Sequence, residues 1–307
     1  MTTPRWTPAH LPPLTGKTFV VTGGNAGLGY YTSEFLARRG ASVVIAARSQ
    51  QKAGAAIASI RSRAPQASVR SVTLDLADLG SVEAAASELS AGPIDGLILN
   101  AGVTGQPERG VTADGFELMF GTNLLGHFAL TARLAPTLLA TSGSRVVSLG
   151  SISHEFFDLD LDDLQNDDYS SFRAYGRSKL AAMLFAFELD RRLRKAGHST
   201  RSLVAHPGFA LDSLSAARPR IGMKRSNPFV RTALQTFAQG KDAGALPIVR
   251  AAADPVAQGG DYWGPDGWRQ LKGAPSVVGA RTRARDIRTA STLWSVAETL
   301  TGVPFVI

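Results

Sequence analysis

Tyr175 and Lys179 stand four positions apart in the run Tyr-Gly-Arg-Ser-Lys. The surrounding pattern predicts a helix over 174–195, and on a helix two residues four apart share a face. A free phenol has a pKa of about 10 and is almost wholly protonated at neutral pH. An ammonium group within ~4–6 Å favours the phenolate and moves that value down, which makes a tyrosine usable as an acid or base. As an isolated pattern the pair reads as a coincidental surface contact; its place after a fifth strand singles it out. A second set of residues points to anion binding. Thr22 to Gly29 reads Thr-Gly-Gly-Asn-Ala-Gly-Leu-Gly, so Gly23, Gly27 and Gly29, with Asn25, Ala26 and Leu28 between them, form G-x-x-x-G-x-G. Glycine is needed where a backbone must approach a pyrophosphate and where a turn demands unusual φ/ψ. The helix expected after the turn offers unpaired N–H groups and a partial positive charge. The other reading is a tight turn with no ligand.

These residues need a scaffold, and the chain shows one. Residues 18–22 (TFVVT), 42–46 (SVVIA), 69–74, 94–99 (IDGLIL), 145–149 (RVVSL) and 201–205 read as strands. Helical patterns fill 29–39, a stretch from Ser49, 116–139 and 174–195. Strands alternating with helices of this length imply βαβ units, right-handed crossovers and a parallel sheet covered on both faces. The expected fold is a Rossmann-type, doubly wound α/β/α sandwich of about seven strands in one domain. A tail over 1–15 precedes it, and a C-terminal helix and tail over 281–307 closes it. The glycine turn falls at the end of the first strand, where such sheets bind dinucleotides.

The end of the second strand bears on the ribose. An acidic residue there accepts from a 2′-hydroxyl, but this chain has Ala46-Ala47-Arg48-Ser49. Arg48 suits a 2′-phosphate and Ser49 offers a further donor, which favours NADP(H). The alternative is a solvated Arg48 beside a serine that only caps its helix. Two segments interrupt the alternation. Residues 156–169 carry six aspartates and read as an exposed loop. Residues 209–240 mix prolines, basic residues and apolar Phe229, Val230, Leu234 and Phe237, which suits a substrate lid with Phe209 at its start, or an ordinary surface loop.

Composition narrows the remaining classes. The 307 residues include no cysteine, which excludes a disulfide scaffold, thiolate catalysis and thiolate-bound metal. The five histidines are dispersed with no i, i+4 pair, so no metal site is expected. A net charge of +8 would suit nucleic acid if it formed a patch, yet the basic residues are scattered. The densest run, Arg281 to Arg288, reads as a solvated helix face rather than an anionic partner surface. No apolar stretch reaches the ~18–20 residues of a membrane span, and the proline-rich N-terminus lacks an apolar signal core. A cytoplasmic protein without a membrane anchor is expected.

Together these residues resemble the short-chain dehydrogenase/reductase family. Thr22 to Gly29 matches its glycine turn, Asp75-Leu76 its adenine contact, and Asn100-Ala101-Gly102 its N-A-G strand end. Asn123 matches its helix asparagine, Ser151 its serine, Tyr175 and Lys179 its Y-x-x-x-K pair, and Pro207-Gly208 its P-G. The motifs run in family order over most of the chain. Asp114-Gly-Phe116 and Asn123-Leu-Leu-Gly-His-Phe128 resemble the retinol-dehydrogenase-like branch, as do the long gap from Ser151 to Tyr175, His206-Pro-Gly and Tyr262-Trp-Gly-Pro265. The missing anchor helix suggests a bacterial relative.

The resemblance implies an NADPH-dependent carbonyl reductase or alcohol dehydrogenase acting on a bulky apolar ketone or aldehyde, such as a polyketide-like intermediate. Ser151 would bond the carbonyl oxygen, Tyr175 donate the proton, Lys179 hold the nicotinamide ribose and lower the Tyr175 pKa, and Asn123 hold the helix and a relay water. His154 is either a substrate contact or a hydrogen-bonded loop histidine, and His206 is structural. Oligomers are expected, a homodimer or homotetramer, with 112–140 and 174–197 as contact faces. Two departures stand out. Asp212 occupies the place of a threonine that meets the nicotinamide carboxamide, so either Asp212 accepts from that group, Ser213 substitutes, or the grip is weaker. Gly150 replaces a serine. Non-redox acid–base catalysis, or a silent NADP(H)-binding sensor or scaffold, are the alternatives.

Overall fold

β-Branched and aliphatic runs form the strands, and the apolar stripes between them form the helices. The computed structural model describes residues 6–222 and 227–307, with 228–230 by backbone alone. In chain order the elements are β1 (Thr18–Thr22), α1 (Gly27–Arg38), β2 (Ser42–Ala47), α2 (Gln50–Arg63), β3 (Val69–Thr73), α3 (Leu79–Leu89) and β4 (Gly96–Leu99). Next come α4 (Leu118–Phe120), α5 (Gly126–Ala140), β5 (Arg145–Leu149), α6 (Ser171–Lys195), β6 (Arg201–Ala205), β7 (Ala210–Leu211), α7 (Pro228–Leu234) and β8 (Gln239–Gly240). α8 (Lys241–Gly244), α9 (Leu246–Ala253), β9 (Tyr262–Pro265), β10 (Pro275–Val277) and α10 (Ile287–Thr301) complete the chain.

The main sheet has the order β10-β9-β6-β5-β4-β1-β2-β3. It holds eight strands rather than about seven, because the three-residue β10 is too short to show as a sequence pattern; it runs antiparallel to β9. The other strand pairs are parallel. Chain order reverses between β1 and β4, and that switch point opens the crevice at the carboxyl ends of the strands. Alternating side chains of β1 serve two cores: Val20 packs with Phe128 and Trp294 on one face, Phe19 and Val21 with Tyr30 and Ile248 on the other.

Several expectations change on folding. The helix expected over 116–139 is broken: a π turn, Gly121–Leu125, separates α4 from α5. The N-terminal tail is docked from Trp6 onward, because Leu11 and Leu14 are buried and the Trp6 indole donates to Asp254. The basic run is largely exposed, as expected, but is not one helix face. Thr282–Arg285 forms a 3-10 turn ahead of α10, Arg281 pairs with Glu155, Arg283 with Asp158, and Arg285 lies over the Phe187 ring. The acidic loop is correspondingly fastened, with Asp163 on Arg177 and Asp168 on Arg173. α10 packs on α6 and α5 through Trp294, which touches Phe128 and Phe185 edge-on or tilted, so it covers part of the faces expected to meet another copy. Tyr262-Trp-Gly-Pro265 is buried as expected. Phe229 and Val230 fall among the side chains outside the description.

Candidate active site

The glycine turn leads from β1 into α1 with Gly23 at φ +65° and Gly27 at φ +53°, conformations that other residues rarely adopt. A Cβ at Gly23 would lie 3.1 Å from the Ala101 backbone, and one at Gly29 only 2.4 Å from the Gly23 carbonyl oxygen. The turn is thus pressed against the strand end that carries Asn100 and Ala101. Asn100 donates to the Thr22 carbonyl (2.8 Å), and the Ala101 N–H donates to the Thr22 hydroxyl (2.9 Å). Ala26, at the cap of α1, has no side chain to bond the first-turn N–H groups, which stay open to an anion.

A cleft of about 390 Å³ runs across this turn. Gly23, Asn25, Ala26, Gly27 and Leu28 form its floor, and Asn100, Ala101 and Gly102 form its far wall. Arg48, Ser49, Asp75 and Leu76 line the end beyond β2 and β3. Gly29, Pro207 and Gly208 stand outside the lining: Gly29 lies behind the turn, and Pro207 has its carbonyl bonded by Gln239 (2.7 Å). Ser49 accepts from the Lys52 N–H (3.3 Å), so it caps α2 while its hydroxyl proton remains free to donate. Lys52 also lines the cleft, a cation in the first turn after Arg48 that the motif reading overlooked. Asp75 accepts from Ala77 N–H (3.0 Å), which holds its carboxylate at the cleft edge. The cradle that a Cβ would fill, the open helix N-terminus and the Arg48–Lys52 cluster fit a nicotinamide dinucleotide.

The candidate proton-transfer residues gather at the carboxyl end of β5. Ser151 starts a 3-10 turn and accepts from Ser153 N–H, with its hydroxyl close enough to the Tyr175 phenol to act on its ionisation. Lys179, four residues along α6, is buried; its Nζ donates to the Leu149 carbonyl (3.2 Å) and lies 5.9 Å from the Tyr175 ring centre. It also stands 3.5 Å from where a Gly102 Cβ would project, which joins this group to the cleft wall. Burial lowers the Lys179 amine to about 8. Burial pushes the Tyr175 phenol up, opposed by the Ser151 hydroxyl. Desolvation acts on Tyr175 against the lowering expected from Lys179, whose Nζ lies 5.9 Å from the ring centre.

Asn123 is placed by the π turn, a feature that often marks functional sites. Its amide nitrogen donates to Val103 O (3.1 Å) and Ser178 Oγ (2.9 Å), and its Oδ1 accepts from Val103 N–H (2.7 Å). Ser178 in turn donates to the Tyr175 carbonyl (2.8 Å). The Asn123 side chain thus clamps the loop after β4 to the helix of Tyr175, and both its amide protons are used in doing so. Gly150 has a packing reason: a Cβ there would meet Met183 and Val204 at 3.0 Å.

Of the two readings of His154, the structure favours the hydrogen-bonded loop histidine. It is buried, its Nδ1 donates to Ser151 O (2.6 Å), and its Nε2 accepts from Arg281 N–H (3.3 Å), so both ring nitrogens are engaged. Burial lowers its pKa. His206 is structural as expected, between Gly208 N–H and Gln270. His127, absent from the sequence-based site, is buried between Thr22 and Asn123 and is lowered to about 4, chiefly by burial. Its place in the Gly-His-Phe128 run was the only signal. Phe209 is half-exposed and stacked on Phe237 with ring centres 6.3 Å apart. Asp212 is paired with Lys241 at 2.9 Å, and Lys241 lines the cleft. Among the described residues no cluster of acidic or histidine side chains could hold a metal, and no helix is long and apolar enough to cross a membrane.

Residues 17–216 match the family model described as short chain dehydrogenase. Human retinol dehydrogenase 13 is 36% identical over 94% of this chain and 85% of its own length. The short-chain dehydrogenase/reductase drtF of Aspergillus calidoustus is 36% identical over 95% of each chain. A solved structure of an uncharacterized protein from Mycobacterium paratuberculosis superposes with a TM-score of 0.80 at 38% identity, covering 99% of this chain and all of that one. The Pseudomonas aeruginosa RhlG/NADP complex shares the fold, with a TM-score of 0.61 at 21% identity over 81% of this chain and 94% of its own. A parallel sheet with its switch-point cleft, the Ser151–Tyr175–Lys179 group beside it, and these likenesses agree: the chain belongs to the short-chain dehydrogenase/reductase family and has retinol-dehydrogenase-like relatives.

Proposed function

We propose that this oxidoreductase uses NADP(H) to interconvert a bulky apolar ketone or aldehyde and its alcohol. The observation that carries the reading is the Tyr175 phenol beside the Ser151 hydroxyl, its pKa pushed up by desolvation, four residues from buried Lys179 and next to a cleft built around an anion-binding turn. When bound, a reduced nicotinamide supplies a hydride to the carbonyl carbon. Tyr175 Oη gives its proton to the carbonyl oxygen, and the Ser151 hydroxyl donates to the same oxygen, stabilising its developing charge. Lys179, in its charged form, faces the Gly102 wall and serves the ribose end of the nicotinamide. Arg48, Ser49 and Lys52 hold a 2′-phosphate, and no carboxylate stands among these three to favour a free 2′-hydroxyl.

Substrate size is supported by the surface beside Ser151. A cleft of about 670 Å³ is lined by Ile152, Phe156 and Trp268, and a neighbouring one of about 690 Å³ by Phe237 and the same Trp268. Trp268 is 73% exposed and Phe156 63%, apolar surface that an extended hydrophobic substrate would cover. The described parts of the 209–240 segment border this region. Its two ends are joined by the β7–β8 pairing and the Phe209–Phe237 stack. Arg218 fastens the segment to buried Glu34 on α1 (2.6 Å).

The test is titration of the purified protein with NADPH and NADH, followed by absorbance at the nicotinamide band with a panel of bulky ketones and aldehydes. Tighter NADPH binding and its oxidation by a panel member is the expected result. Binding without oxidation by any member would count against the redox reading, and equal binding of both cofactors against the role of Arg48.

A further inference from the structure

The short parallel pair β7–β8 sets Leu211 opposite Gly240. The next residue on each strand is charged, Asp212 on one and Lys241 on the other, and the register brings Lys241 Nζ within 2.9 Å of Asp212 Oδ1. The same lysine reaches the glycine turn. A Cβ built on Gly27 would lie 3.2 Å from its Nζ and 3.4 Å from its Cδ, so the side chain lies across the turn. Arg48 and Lys52 stand at the β2 end of the cleft, whereas Lys241 stands over the first turn of α1, where unbonded N–H groups face an anion.

From this arrangement we infer that Lys241 is a ligand for the pyrophosphate of the dinucleotide, and that Asp212 is its holding partner in the free protein. The inference rests on the reading of the cleft as a dinucleotide site. An ion pair with side chains 25% and 39% exposed is weak and readily exchanged. A phosphate held by backbone N–H groups offers the ammonium a stronger charge-assisted partner. The exchange accounts for an aspartate where the family pattern has a threonine: Asp212 serves the lysine and need not serve the carboxamide.

The experiment measures dissociation constants of NADPH and NADH for the full chain and for Lys241→Gln, Lys241→Arg and Asp212→Asn, using nicotinamide fluorescence or calorimetry. Lys241→Gln is expected to weaken binding about 10- to 100-fold. The loss is equal for the two cofactors, because the pyrophosphate is common to both. Lys241→Arg keeps most of the affinity. Asp212→Asn binds as tightly as the wild type or several-fold tighter, because a competing carboxylate is gone. If the pair only ties the ends of β7 and β8, Lys241→Gln and Asp212→Asn lose affinity alike, and the inference is overturned; unchanged affinity in Lys241→Gln overturns it too. Should Lys241→Gln fail to fold, Asp212→Asn alone decides, since weaker binding there contradicts a competing role. A wild-type protein that binds neither cofactor removes the dinucleotide reading itself, an outcome distinct from a wild type that binds and a variant that does not differ.

Discussion

The hydroxyl of Thr22, the last residue of β1, stands 2.9 Å from Nε2 of His127 on α5. Nδ1 of that ring meets the Asn123 carbonyl at 3.1 Å. A carbonyl only accepts, so Nδ1 carries the proton and Nε2 accepts from the Thr22 hydroxyl. Thr22 in turn accepts from Ala101 N–H. One neutral imidazole therefore links the strand before the glycine turn, the wall of the cleft and the π turn of Asn123.

His127→Phe leaves the Thr22 hydroxyl and the Asn123 carbonyl without this partner and should cost about 1–3 kcal/mol of stability. Denaturant unfolding measures it, and an unchanged midpoint would remove the link's importance.

Acid should destabilise the protein through the same ring. His127 and His206 are both held near 4, from an ordinary value of 6.5. Between those values the unfolded chain takes up protons that the folded chain refuses, so stability is complete above pH 6.5 and falls as pH drops toward 4. Each ring accounts for about 3 kcal/mol at the lower end. Unfolding free energies across this window should show the fall, and His127→Phe should lack its share of it.

Tyr175→Phe should lower kcat by about 10²- to 10⁴-fold while NADPH affinity is retained. With the phenol pushed up and Lys179 at about 8, kcat/KM for carbonyl reduction should decline above about pH 8 as the amine loses its charge. A profile flat to pH 10 would exclude a role for that charge.

Arg48→Ala should weaken NADPH by about 10- to 100-fold and leave NADH nearly unchanged, because only the former has a 2′-phosphate to lose. Paired titrations distinguish this from the Lys241 variants, in which both cofactors weaken together.

Trp294→Ala should cost about 3–5 kcal/mol, the usual range for a buried tryptophan. Trp294 is 2% exposed, between Phe128, Phe185 and Phe305. Thermal and denaturant unfolding check it; a loss below 1 kcal/mol would show α10 to be only loosely applied to α5 and α6.

What the amino-acid sequence determined by itself is whatever local backbone geometry dictates. Gly23, Gly27 and Gly29 announce a turn that only glycine allows, and Tyr175 with Lys179 share a helix face by spacing alone. Alternating strand and helix patterns then force a parallel sheet with its crevice at the switch point. What only the tertiary structure decided depends on partners brought together from distant parts of the chain. Lys241 carries no local motif; it reaches the glycine turn because the β7–β8 register sets it beside Asp212. His127 reads as one polar residue in an apolar helix until Thr22 arrives from 105 positions away. The environment of Tyr175 was likewise beyond spacing: a neighbouring lysine argues for a lowered pKa, while desolvation, which only packing fixes, pushes the phenol up.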